Sequence, residues 1–529
     1  MASVKLYDTT LRDGAQREGI SFSVADKINI ARRLDELGIH FIEGGWPGSS
    51  PKDDDFFKGI GELNLVNSKL VAFGSTRRAN KNVAEDRNLK ALTNSGVEFV
   101  TLVGKSSDMH VTQVLETTLD ENLSMVMDSI LYLKKHGIRV FFDAEHFFDG
   151  FKSNTEYALQ VLQTADRAGV ECLVLCDTNG GTLPVEITHI INKVRKITDV
   201  PIGIHAHNDG ELAVANTLAA VNAGVKQVQG TINGYGERCG NANLCSIIPA
   251  LKLKIGIDCV TDERLAKLTD IAHYVSEVAN LVPDPFLPYI GSSAFSHKGG
   301  LHVSGLSKWS SSYQHIDPEL VGNKQRTLVS ELSGRANIVH RAKELGVYLS
   351  AKSREAQELL EKVKTLESRG FQYENAEASF DLLVQRVKPD YTKPFELVDF
   401  MVIVEKRRRP PVMKNAEEMM SEAIVKVIIN NEVVHTAAEG NGPVNALDKA
   451  LRKALLRFYP DLSDVNLIDY KVRILEGNTG TESQVRVIIE SSDGIEQWRT
   501  VGSSTNIIEA SWLALADSME YWLLKQKGK

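Results

Sequence analysis

The chain has 529 residues, 43% of them hydrophobic and 25% charged, with a formal net charge of −8. That length exceeds a single core and points to roughly two to four soluble globular domains. The acidic balance argues against nucleic acid as a main partner, and no apolar run reaches the ~18 residues of a bilayer span, so no membrane role is expected.

The chain opens directly on a strand-like run at residues 4–7, with no signal-peptide core. Seven further short apolar runs follow at 40–43, 69–73, 99–103, 139–143, 172–176, 201–205 and 227–231, each trailed by a longer amphipathic stretch. The first such stretch, 24–37, has Ser23 as N-cap, Asp26 three residues on and Gly38 as a stop. Its Val24, Ile28, Ala31 and Leu34 keep helical spacing. Eight strand–helix units in about 250 residues match the count and size of an α/β TIM (β/α)8 barrel. A doubly wound sheet is the alternative, and the even spacing and the count favour the barrel. Cys172 and Cys176 lie in an apolar strand, and the five cysteines of the chain read as free thiols in a reducing, cytoplasmic setting.

Beyond the barrel the pattern changes. Pro283, Pro285 and Pro288 precede a Gly- and Ser-rich stretch at 291–312 and helical segments such as 353–367, which suggests small helical connecting subdomains. A basic cluster at 406–409, broken by Pro410 and Pro411, reads as a solvated loop or linker. Residues 423–429 and 432–436 alternate around Asn430-Asn431, a hairpin signal, and Gly440-Asn441-Gly442-Pro443 leads into a helix. Strands at 470–475, 484–489 and 496–501 and a helix at 506–524 repeat the theme. This predicts a two-fold pseudo-repeated α+β module for ligand binding or oligomerisation. The expected division is 1–275 barrel, 276–395 connecting subdomains and 396–529 C-terminal regulatory domain.

Polar residues gather where the barrel strands end: residues 8–13 after the first, Glu43, Arg77, Glu145, Asp177 and Thr178, His205 and His207, and Asn241. In this fold that face carries the active site. His205 and His207, two apart on a strand, point the same way and offer two imidazoles together. An HxH pair alone is equally consistent with two polar residues at a strand end. With Asp13 and Asn241 it supplies two nitrogen and two oxygen ligands, suited to one divalent ion: Mn²⁺, Co²⁺, Zn²⁺ or Mg²⁺. Arg12 would then face a substrate as a fixed cation. No P-loop and no GxGxxG after a strand is present.

The motifs LYDTTLRDG, HAHND and GYGERCGN resemble the signatures of the metal-dependent family of 2-isopropylmalate synthases, homocitrate synthases, citramalate synthases and hydroxymethylglutaryl-CoA lyases. Residues 44–57, 141–150, 175–184 and 295–305 are most similar to the long-form citramalate synthases. The resemblance implies a Claisen-type condensation of acetyl-CoA with a 2-oxo acid, followed by thioester hydrolysis. With pyruvate the product would be (R)-citramalate, for isoleucine biosynthesis. The alternative is a 2-isopropylmalate synthase acting on 2-oxoisovalerate. Asp13, His205, His207 and Asn241 match the family's metal ligands, and Arg12 matches the residue at the substrate carbonyl. Gln16, Glu145 and Thr178 match substrate-pocket positions. His302 and Tyr313 match the catalytic pair of the connecting region, with Glu145 assisting the base. Gly440, Gly442 and Pro443 lie in a stretch resembling the family's feedback-binding domain, which implies isoleucine as inhibitor and a homodimer.

Several positions have plainer readings. Glu145 reads also as a partner of Arg139 or a helix cap, and His297 competes with His302. Cys239 departs from the lyases, whose loop carries a working thiol in a GGCP-type sequence. A non-catalytic amino-acid sensor with a decayed barrel is a further class, and the intact Arg, Asp, His, His, Asn set argues against it.

Overall fold

The computed structural model describes residues 4–59, 63–327, 335–345, 347–350, 353–388, 390–405, 420–475 and 483–527. The eight expected strands form: β1 (Lys5–Asp8), β2 (Phe41–Gly45), β3 (Lys69–Ser75), β4 (Phe99–Lys105), β5 (Arg139–Glu145), β6 (Cys172–Asp177), β7 (Ile202–Ala206) and β8 (Gln227–Gly230). They close into a parallel barrel in chain order, with β1 hydrogen-bonded to β8 and Lys5 opposite Gln227.

The period of two along each strand sorts the side chains. Leu6, Ile42, Val140, Phe142, Ile202, Ile204 and Val228 face outward and join the buried layer beneath the helices. Tyr7, Val71, Phe99, Phe141, Cys172 and Val174 face inward and pack with Phe41 in a separate cluster inside the barrel. Parity then turns Glu43, Thr101, Asp143, His205 and Gln229 inward as well, and all five are buried.

The helix Val24–Leu37 shows how local chemistry sets an element. Ser23 Oγ accepts from the Asp26 N–H at 3.1 Å, and Asp26 Oδ2 accepts from the Ser23 N–H at 2.7 Å. Such a cap contributes about 1 kcal/mol. Gly38 ends the helix at φ 87°, a conformation that favours glycine.

Residues outside the barrel build a repeat of three strands and a helix. The first half has β11 (Glu396–Glu405), β12 (Met420–Ile429), β13 (Glu432–Gly440) and helix Pro443–Leu455. The second has β14 (Asn466–Ile474), β15 (Val485–Ser492), β16 (Gln497–Ser504) and helix Ile507–Lys527. Each half is an antiparallel meander. The expected hairpin turn is present, with Asn430 and Asn431 at φ 50° and 65° joining Ile429 to Glu432. One hydrogen bond recurs at the same place in both halves. Thr436 Oγ1 donates to Ala450 O and Thr500 Oγ1 to Ala514 O, each at 2.7 Å, tying the third strand to its helix. Strand β11 was not foreseen, because its partner strand was read only from residue 423. The basic cluster at 406–409 lies outside the described residues. Two further short strands, β9 (Ser296–His297) and β10 (Arg326–Thr327), pair with each other.

The chain divides into two compact units, Met1–Phe295 with His315–Gln325, and Ser296–Gln314 with Arg326–Lys529. Among the described residues, no helix is long and apolar enough to cross a membrane.

Candidate active site and metal centre

The loop after β1 is held from below by its own acid. Asp8 accepts from Thr10 N at 2.9 Å and from Thr10 Oγ1 at 2.8 Å. Thr10 Oγ1 in turn accepts from Ile232 N at 2.9 Å, tying this loop to the one after β8. Burial pushes the Asp8 carboxyl up to about 7. The first half of the DTTLRDG motif is therefore scaffold, and it presents the second half at the barrel mouth.

Arg12 lies between two carboxylates. Its Nε donates to Glu43 Oε1 at 2.6 Å, its Nη1 lies 3.4 Å from Asp13 Oδ2, and the guanidinium covers the Phe73 ring at 3.9 Å. Glu43 also accepts from the Tyr7 hydroxyl at 2.5 Å, and that hydroxyl meets Thr101 Oγ1. Burial opposes the charge on Arg12, but Glu43 and Asp13 outweigh it and raise its pKa.

Asp13 Oδ2 lies 3.2 Å from His205 Nε2 and 4.0 Å from His207 Nε2, and the two Nε2 atoms are 3.3 Å apart. These three residues form a buried cluster with metal-ligand geometry. Burial works against the Asp13 carboxylate, yet Arg12 and His205 hold its pKa well below the usual range. Burial also disfavours a charged His205, but the Asp13 hydrogen bond and charge prevail and raise its pKa. His207 is pushed down to about 4 by burial and by His205.

Asn241 pairs with His207 in an isolated bridge, and it is buried. Neither atom of its carboxamide, nor Nδ1 of His207, has a hydrogen-bond partner among the described residues. Orphaned buried polar atoms cost free energy unless a ligand takes them up. An N, N, O, O donor set beside them fits a divalent ion. Glycine shapes this loop by close approach. A Cβ on Gly236 would come within 2.2 Å of Asn241 Oδ1, and one on Gly240 within 2.1 Å of the Gly234 carbonyl.

Other expected residues stand as follows. Glu145 ends β5 and pairs with Lys105. Arg139 begins the same strand and pairs with Glu171 at 2.7 Å, so the Arg139–Glu145 pairing does not form. Thr178 Oγ1 accepts from His146 N at 2.8 Å at the end of β6. Gln16 is exposed on the turn Gly14–Gln16. Arg77 follows the carboxyl end of β3 as expected, and its guanidinium turns to the helix Leu119–Lys135, pairing with Glu121 at 2.6 Å and Asp128 at 2.8 Å. In the other unit His302 stacks on Tyr313, ring centroids 4.2 Å apart at 17°, with His297 at 6.2 Å. Gly305 lets the stack form, since a Cβ there would lie 2.6 Å from the Tyr313 ring.

Sequence reading missed the second layer. Gln229 Oε1 meets His205 Nδ1 at 2.9 Å, and Gln229 Nε2 donates to Asp143 Oδ1 at 3.1 Å. Accepting the Nδ1 proton fixes the ring and leaves Nε2 as the ligand nitrogen on the side it shares with Asp13 and His207. Burial raises Asp143 to about 7. The signal was present: a strand reading Gln-Val-Gln places two amides inside a barrel, where each requires a task. His146, at φ 58°, stacks on His110 with ring centroids at 3.6 Å beside Glu145, and it too was passed over.

Family models match most of the chain. The HMGL-like model covers residues 3–275, the homocitrate synthase post-HMGL domain-like model 289–370, and the LeuA allosteric (dimerisation) domain 374–523. The (R)-citramalate synthase of Geobacter sulfurreducens is 54% identical, over 100% of this chain and 99% of that protein. The (R)-citramalate synthase of Aquifex aeolicus is 53% identical, over 99% and 98%. A 2-isopropylmalate synthase of Methanocaldococcus jannaschii is 31% identical over 99% and 95%.

Gln229→Leu removes the acceptor that orients His205. Divalent-metal affinity should fall about 10- to 100-fold while the thermal melt stays cooperative. Competition against a chelating dye measures this, and unchanged affinity would show that the His205 ring is oriented by other contacts.

Proposed function

The chain belongs to the HMGL-like family, among its (R)-citramalate synthases, and is an acyl-CoA-using condensing transferase; from that premise we propose how its residues divide the work. The substrates are pyruvate and acetyl-CoA and the products (R)-citramalate and CoA. The observation that carries this reading is the convergence of Asp13, His205 and His207 beside a paired Arg12, in a chain about half identical to such synthases from end to end.

Asp13, His205, His207 and the Asn241 carboxamide would hold a divalent ion, which when bound supplies Lewis acidity for a keto oxygen. Arg12, fixed by Glu43 and Asp13, directs its remaining donor at the oxygen that gains negative charge as the carbon–carbon bond forms. Gln16, Glu145 and Thr178 line the 2-oxo acid and acyl thioester. His302 is the general base that takes the methyl proton of acetyl-CoA, and the Tyr313 ring holds the imidazole by stacking. The enolate attacks the keto carbon, and water then cleaves the thioester to make turnover irreversible. The five cysteines are free, which suits a cytoplasmic enzyme.

We assign residues 396–529 as the regulatory and dimerising module, 1–275 as the catalytic barrel and 276–395 as the connection. A cavity of about 610 Å³ lies along the helix Pro443–Leu455, walled by Val444, Leu456, Leu462 and Leu467. Asp448 and Arg452 face it as an ion pair at 2.9 Å, so it offers an apolar wall and a charge pair that the ammonium and carboxylate of an amino acid can join. This supports isoleucine as effector, with Gly440, Gly442 and Pro443 leading into the same helix. Exposed apolar residues on β11 (Leu397, Val398, Met401, Val404) and β14 (Ile468, Val472, Ile474) support a homodimer formed through the outer strands of this module.

Pyruvate should show a higher kcat/KM than 2-oxoisovalerate, by about 10-fold or more, because extra methyl groups overfill a small pocket. A thiol-release assay across a panel of 2-oxo acids decides it, and the opposite order would indicate an isopropylmalate synthase. His302→Ala should lower kcat by about 10²–10⁴ with little change in KM for pyruvate. Near-normal turnover in that variant, together with an inactive His297→Ala, would move the base to His297. Arg452→Gln should weaken isoleucine inhibition about 10-fold while uninhibited kcat is retained. Calorimetry showing undiminished isoleucine binding in the variant would place the effector elsewhere.

A further inference from the structure

The barrel end opposite the Asp13 cluster holds a second cavity, of about 420 Å³, where strands β1, β2, β4, β5, β6 and β8 begin. That volume falls in the range of small-molecule sites. Its floor is aromatic. Phe99 and Phe141 stack at 5.4 Å, and Phe41 stands edge-on to both at 5.3 and 4.9 Å. Such rings accept an apolar body, flat or branched.

The rim is positive. Arg139 lies over the Phe99 ring at 4.6 Å, but Glu171 neutralises it at 2.7 Å. Lys5 and Lys226 also border the cavity, are exposed, and have no carboxylate partner among the described residues. They lie together at the β1–β8 seam, where the Lys5 N–H donates to the Lys226 carbonyl at 2.8 Å. The third feature is Gln227. It stands opposite Lys5 in the ladder, borders the same cavity and is 3% exposed. Its Nε2 has no acceptor among the described residues. A buried amide donor without an acceptor is costly in a native core.

The three features ask for one kind of molecule: an apolar body, an oxygen acceptor and a negative charge at the seam. We propose that the amino-terminal end of the barrel binds a small carboxylic acid with an aromatic or branched body. Its body lies on the phenylalanine floor, and its carboxylate meets Lys5, Lys226 and Gln227. The site is separate from the condensation chemistry. The Tyr7 ring, 6.1 Å from Phe41 and 6.0 Å from Phe141, lies between this floor and Glu43.

The test titrates the full-length, metal-loaded chain with 3-phenylpropionate in saturating pyruvate, by calorimetry, with 3-phenylpropanol as the uncharged control. Saturable binding that pyruvate leaves unchanged and that is weaker for the alcohol is expected. The Lys5→Gln/Lys226→Gln double variant changes only exposed side chains, and a thermal melt checks its fold. It should raise the dissociation constant about threefold or more. A crystal soaked with the acid should place it over Phe41. Absence of saturable binding up to about 10 mM, displacement by pyruvate, or equal affinity in the double variant would overturn the proposal.

Discussion

A half-buried guanidinium held between two buried carboxylates organises the carboxyl-terminal half of the barrel. Arg12 is largely withdrawn from water, and an ion so placed is costly without a partner. Glu43 and Asp13 provide the countercharge, and each is itself satisfied from a different direction. Tyr7 and Thr101 complete the Glu43 side from the barrel interior, while the two histidines complete the Asp13 side. The result is one connected network from the middle of the barrel to its mouth. Loss of a member leaves the others buried and unbalanced, so the network specifies position as much as stability.

That network explains a division of labour along the barrel axis. The lower interior is aromatic and the upper interior polar, although the same strands supply both layers. Strand β5 illustrates it, with Phe141 in the ring cluster, Asp143 on Gln229 and Glu145 at the rim on one face of one strand. A polar layer can be buried only where every group finds a partner. The partners come from neighbouring strands and, for Tyr7–Thr101 and Gln229–Asp143, from across the barrel, which is why closure of the barrel and assembly of the site are one event.

The second unit uses another economy. Two copies of a three-strand-and-helix motif repeat the same threonine-to-helix hydrogen bond, so one local solution serves twice. A repeat of this kind leaves the outer strands β11 and β14 with exposed apolar residues, a surface suited to a partner copy. The aromatic pair His302–Tyr313 belongs to this unit and not to the barrel unit. Any effector acting on catalysis through it would do so by differential affinity for two states of that unit.

Much of this was legible in the chain because it depends on short-range periodicity. Eight strand–helix alternations, the Ser23 cap, the Asn430-Asn431 turn and the parity of His205 and His207 all follow from spacing within a few residues. Asp13 was legible because its motif and the fold place it at the same mouth. What lay beyond reach were relations between strands far apart in sequence. Arg77 stands at the expected strand end, but a residue there can turn either to the mouth or to a helix, and only Glu121 and Asp128 decide which. Gln229 beneath His205 and Glu43 on Arg12 depend on the register of adjacent strands, and the Lys5–Gln227 seam requires closure of the barrel through β1 and β8. Sequence alone determined the barrel's strands and helices, the repeat's hairpin and the candidate ligands, since local geometry and hydrophobic period are written residue by residue. Only the tertiary structure decided which charges face one another, because that pairing depends on the register and tilt of separate strands and helices, which local spacing does not encode.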